Sequence, residues 1–85
     1  MKVQTTRPFD RDYERLPEAV KGRVDKQLRI LMDNPAHPSL RLKRIQGTED
    51  LWEARVTAGY RLTIQIVGDT FVLRRVGSLD VLREP

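Results

Sequence analysis

Between Leu51 and Leu79 the chain reads LWEARVTAGYRLTIQIVGDTFVLRRVGSL, and its apolar and polar positions alternate with the period of an extended backbone. The alternation predicts three short strands joined by two tight turns. Tyr60, Leu62, Ile64 and Ile66 fall on one side, Arg61, Thr63 and Gln65 on the other. Gly68-Asp69 is a two-residue hairpin signal, because glycine supplies the positive φ such a turn needs. Pairing Val67 with Thr70 sets Ile66 opposite Phe71 and Ile64 opposite Leu73, which makes an apolar face for burial. The other face then carries Thr63, Gln65, Val72 and Arg74 beside Arg61.

The preceding hairpin has Thr57-Ala58-Gly59 as its expected loop, with Val56 pairing Tyr60. Arg55 then falls opposite Arg61, and Glu53 opposite Thr63. Two arginines facing each other across a strand pair repel. Either Glu53 neutralises them on a solvated face, or the face is an anion site.

Ahead of this sheet the period changes. Lys2–Thr6 alternates briefly and predicts an edge strand. Pro8 suits the first turn of a helix, where its missing N–H costs nothing. Phe9, Tyr13 and Leu16 follow at helical spacing, and Pro17 ends that helix and opens another. Val20, Val24, Leu28 and Leu31 form one stripe, with Lys21, Arg23, Asp25, Lys26 and Arg29 outside it. Asn34-Pro35 closes the second helix. The pattern is that of a helical hairpin covering a small sheet. Arg41–Ile45 (RLKRI) alternates basic and apolar residues and predicts a further strand, with Arg41 and Lys43 on one side. Gln46–Asp50 is a polar turn, and Asp80–Arg83 is at most one helical turn.

Eighty-five residues make one small domain, 1–85, whose core only just offsets the entropy lost on folding. There is no cysteine, so neither a disulfide framework nor a cysteine-ligated zinc site is expected. His37 is the only histidine and sits between two prolines, so no metal and no cofactor is assigned. No apolar run is long enough to span a membrane, and no signal peptide is recognised, so a cytoplasmic location is expected. Net charge is +4, built from twelve arginines and four lysines. Arginine's planar fork grips phosphate in two places, so the bias fits a nucleic-acid or phosphate ligand.

In their order and spacing several of these segments resemble the RelE/ParE superfamily of bacterial toxins from toxin–antitoxin pairs. The markers are an early Phe before a helix, Leu16-Pro17, Asn34-Pro35, "LKRIQG" at 42–47, "LWEARV" at 51–56, "GYRLTIQI" at 59–66 and "LRRVGS" at 73–78. The resemblance implies an α+β fold of order β-α-α-β-β-β, with the N-terminal strand and helical hairpin packed on an antiparallel sheet. It implies the toxin of a type II toxin–antitoxin system, with a cognate antitoxin as partner. The activity implied is metal-free, ribosome-dependent cleavage of messenger RNA. The alternatives are inhibition of DNA gyrase by binding alone, or a non-catalytic nucleic-acid-binding module.

By position, Arg61 of "GYRL" matches the family's phosphate-binding arginine, and Arg55 matches a second, frequently basic position. Glu53 is the candidate base, with a structural ion pair as its other reading. Arg41, Lys43, Arg74 and Arg75 would hold RNA. Related sequences often carry histidine where this chain has Leu79. A histidine there could act as general acid, which leucine cannot. Leu79 therefore marks a natural relative of altered activity, a toxin deliberately inactivated, or a residue packed with Val81 and Leu82.

Overall fold

The computed structural model describes residues 1–85. The elements are β1 (Lys2–Thr5), α1 (Arg7–Glu14), α2 (Glu18–Asp33), β2 (Lys43–Arg44), β3 (Leu51–Thr57), β4 (Tyr60–Val67) and β5 (Thr70–Ser78), with 3-10 turns at Pro38–Leu40 and Leu79–Leu82. The strands form one sheet in the order β1-β5-β4-β3-β2. This is the α+β architecture that the patterning predicts, with one addition. β1 runs parallel to β5, so the sheet is mixed. Parallel neighbours need a long crossover, and both helices lie in the connection between these two strands.

Each helix starts for a local reason. The Thr6 hydroxyl caps α1 by accepting from the Phe9 N–H at 3.3 Å, and Pro8 occupies the first turn. α2 follows directly on Pro17 and ends at Asn34. The helices cover one face of the sheet. Val24 and Leu31 are wholly buried with Leu62, Ile64 and Leu73, while Val20 and Leu28 are only partly covered. The buried line on α2 therefore runs through Val24, Gln27 and Leu31.

The β4–β5 hairpin keeps the predicted register at Val67↔Thr70, Ile66↔Phe71 and Ile64↔Leu73. Gly68 has φ 58° and Asp69 is not left-handed, as a II′ turn requires. Beyond Ile64 the register slips by one at a bulge, so Thr63 pairs with Arg75 instead of Arg74. The slip lets both Leu73 and Val76 enter the core. On the other hairpin Arg55↔Arg61 and Glu53↔Thr63 are as expected. The turn is tighter than the three-residue loop predicted: Thr57 pairs with Tyr60, and Val56 is bulged while staying buried. The strand expected over Arg41–Ile45 shrinks to Lys43–Arg44, because Arg41 caps the preceding 3-10 turn and Ile45 is already in the next turn.

Both sheet edges outrun their short outer strands, and helix side chains serve the exposed backbone. Where β1 stops, the Thr6 hydroxyl donates to the Leu73 carbonyl at 2.9 Å, and the Asp12 carboxylate accepts from the Val76 N–H at 3.2 Å. Where β2 stops, Nε2 of Gln27 donates to the Arg55 carbonyl at 2.9 Å.

Candidate functional site: the polar sheet face and its basic edge

Two cross-strand rows make the face turned away from the helices. One runs Lys43, Glu53, Thr63, Arg75, and the other Arg55, Arg61, Gly77. Arg61 is the most constrained member. Its Nη1 donates to the carbonyls of Thr57 at 2.7 Å, Tyr60 at 3.0 Å and Ala58 at 3.3 Å, and its Nε lies 3.6 Å from Glu53 Oε1. The guanidinium is thus pinned to the turn by one corner, with Nη2 free of partners within the chain. At 3.6 Å the Glu53 carboxylate is held by charge rather than by a hydrogen bond, so its lone pairs are not spent.

The two facing arginines, Arg55 and Arg61, have different surroundings. Arg61 turns to its hairpin and to Glu53, whereas Arg55 lines a recess at the β3 edge beside α2. Arg41 joins Arg55 there, with a left-handed backbone (φ 45°, ψ 43°). Lys43 stays exposed in the row with Glu53.

The far side of the face is covered by the closing segment 79–85. Val81 is buried over Gly77, and the Thr63 hydroxyl donates to the Pro85 carbonyl at 3.1 Å, leaving Thr63 wholly buried. Arg74 Nε reaches the same carbonyl at 3.3 Å, and Arg75 Nη1 reaches that of Glu84 at 3.3 Å. Arg75 also makes a two-point pair with Asp12, Nε at 2.6 Å and Nη2 at 3.2 Å, and this hydrogen bonding raises its pKa from the usual value. Arg74 and Arg75 thus hold the segment and α1 in place. Arg61 and Glu53 are themselves mostly covered, with 17% and 14% of their side chains exposed, and of Arg61, Arg55, Glu53 and Lys43 only Lys43 is exposed.

Leu79 follows directly on Ser78, which pairs with Tyr60, so it stands at the Arg61 end of the face. Leu79 is 48% exposed, whereas Val81 is 8% exposed. The reading of Leu79 as a packing residue is thereby corrected: Val81 fills that role. His37 is exposed and caps the 3-10 turn, its Nδ1 accepting from the Ser39 N–H at 3.1 Å. No three His, Asp or Glu side chains are grouped to hold a metal ion.

Sequence reasoning missed Asp12, Gln27 and Gly77 as positioning residues. For Gln27 a signal was available, since it falls three after Val24 and four before Leu31 on the buried stripe. For Asp12 and Gly77 the partners lie in distant or irregular segments, and no periodicity points to them.

A helical hairpin on a small mixed sheet, with cationic residues on the other face, is a fold shared with several solved structures. Solved structures with this fold include the toxin of the RelB-RelE antitoxin-toxin complex from Methanococcus jannaschii (TM-score 0.78, 21% identity, 95% of each chain covered). Another is YafQ from E. coli (TM-score 0.79, 15% identity, 95% of this chain and 96% of that one). The curated relative Toxin RelE3 of Methanocaldococcus jannaschii is 28% identical over 82 residues, covering 89% of this chain and 88% of the relative. The family described as "ParE toxin of type II toxin-antitoxin system, parDE" matches residues 3–79. The chain belongs to that family and is a toxin of the RelE/ParE superfamily.

Proposed function

We propose that this toxin is a metal-free, ribosome-dependent messenger RNA endoribonuclease, weakened at Leu79 and held in check by a cognate antitoxin. The single observation that carries the reading is the pairing of Arg61 with Glu53 on the polar face, a partly covered pair with 17% and 14% of its side chains exposed. Arg61 is preorganised by its turn and offers Nη2 to a scissile phosphate, where charge builds in the transition state. Glu53, beside it, has unspent lone pairs and takes the 2′-OH proton. Arg55, Lys43 and Arg41 add positive charge along the β3 side. Leu79, next to Ser78 at the Arg61 end of the face, has no titratable group and cannot protonate the leaving 5′-oxygen as a histidine there would.

A second reading is binding to DNA gyrase without chemistry. The match to the ParE family and the absence of an acid at position 79 favour it. Induced expression separates the two: cut messenger with normal plasmid supercoiling supports the ribonuclease, and intact messenger with blocked supercoiling supports the gyrase reading. The antitoxin is supported by relatives solved in complex with theirs, RelB and DinJ. Co-expression with the neighbouring reading frame should give a co-purifying complex of higher melting temperature. Failure to associate at micromolar concentration would count against this partner.

A further inference from the structure

At the β3 edge, α2 and the 37–41 loop enclose an open recess of about 560 Å³. Arg23 and Lys26 line it from the helix, Arg41 from the loop and Arg55 from the strand, with His37 at the rim. None of the four cations is in an ion pair: the chain's pairs are Lys21–Glu18, Arg61–Glu53 and Arg75–Asp12. No carboxylate lines the recess. Four unpaired cations around one concavity repel each other and oppose folding, and an anion entering it would relieve that repulsion.

The walls are built rather than incidental. Gln27, 4% exposed, donates from Nε2 to the Ser39 carbonyl at 3.3 Å and to the Arg55 carbonyl at 2.9 Å, tying loop and strand to the helix. His37 Nδ1 is occupied as an acceptor, which in the neutral ring leaves the proton on Nε2. Arginine, lysine, histidine and serine side chains make up most of the lining, so an uncompensated positive charge is what the recess presents to a ligand. A phosphodiester, all charge and acceptors, suits it.

We infer that this recess is a second phosphate subsite, which holds the backbone of an RNA strand as it leaves the Arg61 face past Arg55. The inference rests on the ribonuclease reading and extends the RNA path from the sheet onto α2. Arg55 links the two sites, since it is in register with Arg61 and lines the recess.

The test is fluorescence anisotropy with a short labelled single-stranded RNA across a salt series, on the parent, Arg23→Ala/Lys26→Ala, Arg41→Gly and Arg61→Ala. Arg41→Gly keeps the fold, because glycine adopts the left-handed backbone more readily than arginine does. Both recess variants should bind about tenfold more weakly, with the log–log salt slope reduced by roughly 0.7 for each phosphate no longer neutralised. If they bind like the parent while Arg61→Ala binds poorly, the subsite is wrong and the Arg61 reading stands. If all variants match the parent, or the parent binds a polyglutamate peptide but no RNA, the subsite is overturned, while the ribosome-dependent reading of the Arg61 face is judged separately by messenger cleavage on ribosomes.

Discussion

A Cβ placed on Gly77 would lie 2.9 Å from Cγ1 of Val81, so the closing segment rests on the polar face only because residue 77 has no side chain. Gly77 is also the third member of the row Arg55, Arg61, Gly77. One glycine thus decides how much of the cationic face is covered. Gly77→Ala should cost about 1–3 kcal/mol through overpacking and should expose 79–85 to proteolysis. Adding Val81→Ala removes the clashing methyl, so the pair should cost less than the sum of the two single changes. Additive costs in urea unfolding would mean that the contact is not the constraint.

Gln27 holds the opposite edge. Gln27→Leu keeps the size but removes the donor to the Arg55 and Ser39 carbonyls. It should destabilise by about 1–3 kcal/mol. Leu31→Ala, in the fully buried centre of the same stripe, should cost about 2–5 kcal/mol. The two differ in kind: Gln27→Leu should speed amide exchange at the end of β3 and in the 37–41 loop, whereas Leu31→Ala should weaken the whole domain. A uniform loss of protection in both would contradict the edge role of Gln27.

Tyr13 gives a pH signature. Its hydroxyl donates to Asp25 at 2.8 Å, and that bond, with desolvation and the negative charge nearby, raises its pKa above the ordinary 10.0. Because the folded value lies above the unfolded one, this contribution to stability is fully present below pH ~10 and is lost as pH rises through the folded value. Tyr13→Phe should therefore remove a stability increment at neutral pH that is absent in strong alkali. Parallel stability curves for parent and variant through the alkaline range would contradict it.

Much of the fold was legible because it rests on periodicities. The period-two run from Leu51 set the order of β3, β4 and β5 and the facing of Arg55 on Arg61, and the stripe on α2 set which side the helices cover. Single-residue irregularities were not legible. The slip between Thr63 and Ile64 arises where Leu73 and Val76 both seek the core, and it exchanges Arg74 for Arg75 beside Thr63. The same limit applied to the site. Alternation placed Arg61 and Glu53 on one face, but not Lys43 beside Glu53, nor the carbonyls that pin Arg61, nor the segment that engages Arg74 and Arg75. Those contacts come from turns and from chain far away in sequence, which no local pattern encodes.

The central claim is that the Arg61–Glu53 face is a ribonuclease site lacking its acid at position 79. Mapping messenger cleavage on purified ribosomes by primer extension tests it most directly. General acids contribute ~10²–10⁴-fold, so the parent should cut feebly and Leu79→His should raise the single-turnover rate by a factor in that range. Adding Arg61→Ala to Leu79→His should abolish the gain, since the phosphate then loses its cation. No increase with Leu79→His, or an increase that survives Arg61→Ala, would contradict the account.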